Sequence, residues 1–239
     1  MDVILIPGFW LDASSWGEIP SMLETAGHRV RALTLPGLES READRHGIRL
    51  RDHVEAVIAA VDEADGPVVL VGHSGGGAIA YAAADARPDR VARLVYVDSG
   101  PLANGQNIND QLPVVDGEIP LPDWSAFSEE DLRDLDDELR ETFRARAIPE
   151  PAAVATDPQI VSDERRYDVP ATIIACEFPS DQLRGWIAEG HPYVAELAAM
   201  RDVEYVDLPT GHWPQFTKPV ELGRAILAAI GGHPSDGKR

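Results

Sequence analysis

Short apolar runs alternate with amphipathic stretches along most of the chain. Six segments have the apolar or alternating character of strands: residues 3–6, 29–35, 68–71, 91–97, 169–176 and 203–208. Several stretches between them repeat apolar residues at helical spacing, as at Leu50, Val54, Val57 and Val61. Because strands that alternate with helices pair in parallel, the pattern predicts an α/β protein with a mostly parallel six-stranded sheet flanked by helices.

The alternation stops between residues 101 and 168. Pro, Asn, Asp and Gly dominate this segment, apart from one predicted helix that Ser128 and Asp131 would begin as a capping box. We expect residues 101–168 to be a small helical lid over the strand ends, although an ordinary excursion at the side of the sheet is the alternative. The core would then comprise residues 1–100 and 169–232, with a flexible tail at 233–239.

The stretch V-V-L-V-G-H-S-G-G-G, residues 68–77, predicts a buried strand, a sharp turn and a helix. Ser74 would stand at the tip of the turn, and Gly72 and Gly76 would leave room for the tight backbone. The first amides of the helix could then stabilise a developing oxyanion. The alternative is a glycine-rich turn that binds phosphate or only packs closely, but neither of the usual phosphate-loop patterns follows this strand.

His212 lies in the sequence P-T-G-H-W-P, directly after the last predicted strand. Since the carboxyl ends of parallel strands meet at one edge of the sheet, its ring could reach Ser74. A turn residue that caps the next helix is the alternative interpretation. His73 lies inside the sharp turn around Ser74, which we call the elbow, and we expect its side chain to serve packing.

Three motifs resemble the α/β-hydrolase superfamily: P-G-F-W after the first strand, G-H-S-G-G at the elbow and G-H-W before the final helix. The chain is most similar to the compact branch of plant-type methyl esterases and hydroxynitrile lyases. The resemblance implies an α/β-hydrolase fold in which Ser74 is the nucleophile, His212 the general base, and the N–H groups of Phe9 and Gly75 the oxyanion hole. Pro7 replaces the usual histidine of that branch, and the lysine that the lyases use near the acid is missing.

A triad also needs a carboxylate between Ser74 and His212 in the chain. Glu177, Asp181 and Asp98 all lie at or near predicted strand ends. We favour Glu177 because it directly follows the fifth strand, whereas Asp181 depends on an unknown loop turn and Asp98 has the look of a turn residue.

The expected activity is therefore that of a serine hydrolase, a carboxylesterase that cleaves small, largely apolar esters through an acyl-enzyme. Four tryptophans are predicted to line the substrate pocket: Trp10, Trp16, Trp124 and Trp213. A carbon–carbon bond hydrolase, a lactonase and a non-catalytic ligand-binding member of the fold remain alternatives, because the same residues would serve them.

The amino-acid composition limits which classes of binding partner and cofactor are expected. The formal charge of −20 disfavours binding to nucleic acid and to anionic membrane surfaces. The expected partner is a small-molecule substrate. Cys176 is the only cysteine, so neither an intramolecular disulfide nor a cysteine-based zinc site is expected. No metal, nucleotide or flavin motif is visible, and we expect no cofactor. The N-terminal residues lack a signal-peptide pattern, which predicts a cytoplasmic protein.

Overall fold

The computed structural model describes residues 1–231, so the tail expected at 233–239 lies outside the described residues. Six strands form one sheet in the order β2-β1-β3-β4-β7-β8, and every neighbouring pair is parallel. Their bounds are β1 Asp2–Ile6, β2 Arg29–Ala32, β3 Val68–His73, β4 Val91–Val97, β7 Ala171–Ala175 and β8 Val203–Asp207. The predicted α/β fold with a six-stranded sheet is confirmed.

Helices cover both faces of the sheet and also occupy the segment between β4 and β7. Their bounds are α1 Ile19–Thr25, α2 Leu50–Glu63, α3 Gly75–Ala86, α4 Asp137–Arg146, α5 Ala152–Thr156, α6 Ser180–Ala188, α7 Ala195–Ala199, α8 Pro214–Thr217 and α9 Pro219–Gly231. None of the helices within residues 1–231 combines the length and the apolar character needed to cross a membrane.

Strand β3 is buried at every residue and lies at the centre of two apolar cores. Val68 and Leu70 pack on the face that carries α2 and α3, whereas Val69 and Val71 pack on the face that carries α1 and α9. This division follows from the alternation of side chains along a strand. A strand buried on both faces places its carboxyl end, and the residues that follow it, at a rigid edge.

Residues 101–168, which we call the insertion, contribute no strand to the main sheet. They contain α4, α5 and a two-stranded antiparallel ribbon of β5, Glu118–Ile119, and β6, Glu150–Pro151. The insertion therefore has a small framework of its own beside the strand ends.

The helix predicted to begin at Ser128 begins later, which corrects the sequence interpretation. Ser128 and Asp131 do form the reciprocal bonds of a capping box, at 2.8 and 3.0 Å, but α4 begins at Asp137 with Asp136 as its cap. The carbonyls of Asp131 and Arg133 accept hydrogen bonds from the amides of His212 and Gly211, at 2.8 and 3.0 Å. Asp134, with a positive φ of 63°, leaves the helical conformation directly after these two residues, so the helix is delayed until Asp137.

Candidate active site

Ser74 lies between the end of β3 and the start of α3, in a strained backbone conformation with φ 52° and ψ −127°. Such values are rare for residues other than glycine and occur at the sharp strand-to-helix turns that expose a nucleophile. A Cβ at Gly72 would lie 2.5 Å from the Gly76 carbonyl oxygen, and one at Gly76 would lie 2.5 Å from that of Pro7. The two glycines are thus required by the close passage of backbone around Ser74.

A continuous chain of hydrogen bonds joins Ser74, His212 and Asp98. Nε2 of His212 lies 2.8 Å from the Ser74 Oγ, and Nδ1 lies 2.7 Å from Oδ2 of Asp98. The three side chains come from the ends of β3 and β4 and from the loop after β8, which meet at one edge of the sheet. Sequence analysis identified Ser74 and His212 for this cluster, and the structure brings both together.

Asp98, rather than Glu177, is the carboxylate that contacts His212, which corrects the preferred choice from sequence. Asp98 directly follows β4 with a positive φ of 43°. Its Oδ1 accepts hydrogen bonds from the amides of Cys176 and Glu177, at 3.1 and 2.9 Å. Burial opposes the charge of Asp98, but the hydrogen bond and charge of His212 and these two amides together hold its pKa below the ordinary value. The end of β7, where we expected the acid, instead supplies the amide donors that fix the acid.

Glu177 lies close to the same site without a hydrogen bond to His212. Burial and then the charges of Asp131 and Asp98 raise the pKa of Glu177 to about 7. Asp181, the third candidate from sequence, is an exposed residue in the first turn of α6. Neither carboxylate takes the position that a triad acid requires.

The electrostatics around His212 favour its protonated form. Burial lowers its pKa, but the hydrogen bond and charge of Asp98, followed by the charges of Glu177 and Asp131, outweigh burial and raise the pKa above the ordinary value. An imidazolium that forms at this position is therefore stabilised by its surroundings.

His73 has a connecting role that the sequence did not reveal. Its ring is fully buried, with Nε2 at 2.7 Å from the His212 carbonyl oxygen and Nδ1 at 3.1 Å from Nε2 of Gln215. Because Gln215 donates to Nδ1, Nε2 carries the proton and donates to His212. Burial, and the proximity of His212, lower the pKa of His73 to about 3, which keeps the ring neutral. The residue beside Ser74 thus ties down the loop that carries His212.

A cavity of about 570 Å³ opens beside Ser74 and His212. Phe9, Trp10, Phe127 and Phe178 contribute aromatic surface to its wall. The segments 99–103 and 192–197 also line it. Residues 101–103 begin the segment that was expected to be a lid, whereas 192–197 was not singled out from the sequence. Their contribution depends on how loops fold back over the strand ends, for which the sequence carries no local signal.

Of the four tryptophans expected in this cavity, only Trp10 lies in its wall, so the other three assignments are wrong. Trp16 is fully buried in the core on the α1 and α9 face of the sheet. Trp213 is 1% exposed and packs edge to face on Phe127 and Phe143, at centroid distances of 5.3 and 5.2 Å. Trp124 joins the same cluster at 6.0 Å from Trp213. Trp16 and Trp213 thus belong to the core, and the half-buried Trp124 packs against Phe127, Phe143 and Trp213.

Phe9 and Gly75, the two residues expected to supply oxyanion donors, are neighbours beside Ser74. Gly75 is the first residue of α3, and the first amides of a helix have no acceptor within it. Within residues 1–231, Phe9 N–H also has no hydrogen-bond acceptor. The Phe9 ring packs so closely that a Cβ at Gly75 would lie 2.8 Å from it. Both donors are free in the same small region.

One group of potential metal ligands occurs in the described residues. Ligand atoms of Asp98, Glu177 and His212 all lie within 4.8 Å of one another. The His212 Nδ1 and the Asp98 Oδ2 are already hydrogen-bonded at 2.7 Å, so the observed arrangement is that of a charge-stabilised histidine rather than of ligands spread around an ion.

Known proteins share this fold and much of the sequence pattern. The chain is 31% identical over 206 residues to lipase LipV of Mycobacterium tuberculosis, covering 75% of each protein. It is 29% identical over 112 residues to the carbendazim hydrolyzing esterase of a Nocardioides species, covering 46% of each. Methylesterase 7 of Arabidopsis thaliana is 33% identical over 98 residues, which cover 39% of this chain and 38% of that protein.

Solved structures agree on the architecture. An extracellular α/β-hydrolase from a Paenibacillus species superposes with a TM-score of 0.76 at 21% identity, covering 96% of this chain and 98% of that chain. The methylesterase MES16 of Arabidopsis superposes with a TM-score of 0.70 at 16% identity, with coverage of 96% and 98%. At these identities the likeness establishes the fold.

The family model described as alpha/beta hydrolase family matches residues 3–225, almost the whole length of the chain. Its relatives include the lipase, the esterase and the methylesterase named above, in keeping with the predicted methyl-esterase-like branch. The chain is therefore a member of the α/β-hydrolase family.

Proposed function

We propose that the protein hydrolyses small carboxylic esters through an acyl-enzyme, with Ser74 as nucleophile, His212 as general acid–base and Asp98 as the triad acid. The observation that carries this proposal is the unbroken chain of hydrogen bonds from Ser74 Oγ through His212 to Asp98. A serine is a weak nucleophile unless a base is within hydrogen-bond reach and is itself oriented by a third group. Both conditions are met at the end of β3.

In the acylation step, Ser74 Oγ attacks the ester carbonyl carbon while its proton moves to Nε2 of His212. Asp98 keeps the other ring proton on Nδ1 and stabilises the imidazolium. The carbonyl electron pair moves onto oxygen, and the amides of Phe9 and Gly75 are the donors that would stabilise this oxyanion. When the oxyanion collapses, the bond to the alcohol breaks and His212 returns its proton to the departing oxygen.

Deacylation repeats these steps with water. His212 removes a proton from the water molecule as its oxygen attacks the acyl carbon, and the second oxyanion occupies the same donors. Its collapse breaks the bond to Ser74, whose oxygen recovers the proton from His212. The products are one carboxylic acid and one alcohol.

The size and lining of the cavity support small, largely apolar esters as substrates. Its volume of about 570 Å³ is in the range of pockets that enclose small organic molecules. Aromatic and aliphatic side chains form much of the wall, and the relatives include a lipase and a methylesterase. These features agree with an ester hydrolase.

The test is turnover of p-nitrophenyl acetate and butyrate by the protein and by Ser74→Ala, with Ser125→Ala as the control at an exposed serine. We expect turnover that Ser74→Ala abolishes and Ser125→Ala leaves unchanged. A fluorophosphonate should label one peptide, the one that contains Ser74, as read by mass spectrometry. A folded protein with neither turnover nor labelling would instead be a ligand-binding member of the fold.

A further inference from the structure

Trp10 is held by the insertion at three points. Its amide donates to Oε2 of Glu150 at 3.3 Å, its indole Nε1 donates to the Ile119 carbonyl at 3.0 Å, and its carbonyl accepts from the Ile148 amide at 2.9 Å. Trp10 has a positive φ of 66°, which is a strained conformation for a bulky aromatic residue. Such a conformation persists only where the surroundings determine it, and here the insertion supplies the partners.

Glu150 is an unusual partner because its carboxyl group is only 1% exposed. Burying a carboxyl group is costly unless its oxygens are hydrogen-bonded. One oxygen accepts the Trp10 amide, and the other lies 3.8 Å from Nδ1 of His53. The His53 ring is itself fully buried, with Nε2 at 2.8 Å from the Pro36 carbonyl oxygen, so its proton lies on Nε2. Nδ1 faces Glu150 and has no hydrogen-bond partner among the described residues.

These contacts suit a neutral carboxyl group. Burial raises the pKa of Glu150 to about 8, despite the opposing effects of the Trp10 amide and the Arg45 charge. Burial also lowers the pKa of His53 to about 4. At neutral pH Glu150 is thus largely protonated, and one of its carboxyl oxygens still accepts the Trp10 amide.

The location of Trp10 gives this contact a consequence for catalysis. The Phe9–Trp10 peptide contains the Trp10 N–H, which donates a hydrogen bond to Glu150. The adjoining Gly8–Phe9 peptide contains the Phe9 N–H, which is proposed as an oxyanion donor. The Phe9 ring packs edge to face on Trp10, with centroids 6.0 Å apart, and lies against Gly75. Fixing one peptide plane therefore limits the rotation of the next.

We propose that Glu150 is a positioning residue of the oxyanion hole, which holds the Phe9 amide in its productive direction by accepting the amide of Trp10. The inference rests on the proposed function, because it presupposes an oxyanion at this site. It assigns to the insertion a part in the chemistry as well as in enclosing the cavity. Glu150 does not line that cavity, so it acts through the backbone of Trp10.

The principal test compares Glu150→Met with Glu150→Gln. Methionine has a similar length without a strong acceptor, whereas glutamine keeps a carbonyl oxygen for the Trp10 amide. Removing an oxyanion donor costs about 10²–10³ in kcat, so a displaced donor should cost about tenfold or more. We expect Glu150→Met to lower kcat by that amount with KM changed less than about threefold, and Glu150→Gln to stay within about threefold of the parent in both.

The rates are expressed per active site titrated with a fluorophosphonate, so that loss of folded protein is not counted as loss of catalysis. A purely structural role would lower the melting temperature of Glu150→Met and leave kcat per titrated site unchanged, which would overturn the inference. If the parent protein itself could not be titrated, the proposed function would fail instead. The two failures are therefore distinct.

An alkyl trifluoromethyl ketone supplies a second measurement, because addition of Ser74 to it creates an oxyanion. Its inhibition constant should weaken in Glu150→Met by about the same factor as kcat, while inhibition by the matching methyl ketone, which stays largely unadded, changes little. Equal weakening of both ketones would place the effect in the cavity wall and contradict the positioning role.

Amide exchange in the unmodified protein tests the contact even if Glu150→Met does not fold. The Trp10 amide, followed by NMR in deuterated water, should exchange as slowly as the amides of Val69 and Leu70 in β3. Exchange within seconds, as for a loop amide in water, would show that Glu150 does not hold the peptide and would overturn the inference.

Discussion

Ser74 and Asp98 share a local geometry that explains how two short side chains reach one histidine. Each is the first residue after a buried strand, and each has a positive φ, of 52° and 43°. Hydrogen bonds hold both turns: the Ser74 amide donates to the Val97 carbonyl at 3.2 Å, and the Asp98 amide donates to the Ile174 carbonyl at 2.9 Å. The strain is thus fixed by neighbouring strands, and the side chains meet His212 without a long flexible arm.

Replacing the acid separates Asp98 from Glu177. Asp98→Asn should lower kcat by about 10⁴, because an amide at this position favours the wrong tautomer of His212 and cannot stabilise the imidazolium. Glu177→Gln should cost less than about tenfold, since Glu177 has no hydrogen bond to His212. Steady-state kinetics with p-nitrophenyl butyrate measure both. A collapse in Glu177→Gln with Asp98→Asn nearly unaffected would return the acid to Glu177.

The sequence could identify three candidate acids but could not tell which of them contacts His212. Asp98 and Glu177 follow β4 and β7, and both of those strands lie between β3, which carries Ser74, and β8, which precedes His212. Chain order and strand order therefore permit either residue. The choice depends on the turn at Asp98 and on the direction of two amides after β7, which are properties of the packed backbone.

The pH dependence of kcat/KM should report the environment of His212. A general base must be neutral to accept a proton, so activity falls as pH decreases through its pKa, and a raised pKa places the midpoint above the ordinary value of 6.5. Because Glu177 contributes to the raised pKa, Glu177→Gln should move the midpoint to lower pH. A pH profile from 5 to 9 measures both, and an upward shift in Glu177→Gln would contradict the electrostatic argument.

At the scale of elements, the insertion and the His212 loop support each other. The amides of Gly211 and His212 donate to the carbonyls of Arg133 and Asp131. The same interface continues in the aromatic cluster, where Phe143 lies 5.2 Å from Trp213 between ring centroids. The loop that carries the histidine is thus clamped from the insertion side, as His73 clamps it from the elbow side.

Gly211→Ala tests this clamp. A Cβ at Gly211 would lie 2.2 Å from the Asp131 carbonyl oxygen, and backbone there cannot yield without moving either the insertion or the His212 loop. We expect a loss in kcat of about tenfold or more, with a lower melting temperature. Gly66→Ala is the matched control, because a Cβ there meets nothing within 4 Å. Parent-like kcat in a folded Gly211→Ala protein would contradict the clamp.

The same contacts mark the limit of prediction for elements. Periodicity correctly identified the strands and the helix from Leu50, because those patterns follow burial against the sheet. The start of α4 was placed too early, since the signal from Ser128 and Asp131 is local and the competing bonds come from residues 211 and 212.

At the scale of the whole molecule, excess negative charge extends into the cavity. The wall contains four carboxyl groups and no Lys or Arg among the described residues: Asp98, Asp131, Glu177 and Glu196. Asp98 contacts His212, and Glu196 lies 3.1 Å from the Arg166 guanidinium. Asp131 and Glu177 have no such cation in the described part of the chain, so they leave a negative potential next to the reacting groups.

This potential predicts discrimination against anionic esters. Two unit charges about 8 Å apart interact by about 2 kcal/mol at an effective dielectric constant of about 20, which corresponds to roughly thirtyfold. At pH 8, above the pKa of about 7 for Glu177, monomethyl adipate should therefore have a kcat/KM at least about tenfold below that of dimethyl adipate. Because the diester carries two ester groups, its kcat/KM is halved before the two substrates are compared.

Salt and charge removal separate repulsion from poor fit. In about 1 M NaCl the Debye length falls to about 3 Å, so the difference between the two adipates should narrow. At low salt, the double variant Asp131→Asn and Glu177→Gln should show a smaller difference in kcat/KM between the two adipates than the parent protein does. Its kcat/KM for the diester should stay within about tenfold of the parent value. Rates are measured by titrating the acid released. If the monoester were as poor a substrate in the double variant and in high salt as in the parent protein at low salt, the apolar wall rather than charge would exclude it. If both esters reacted equally well in the parent protein, the electrostatic argument would be wrong.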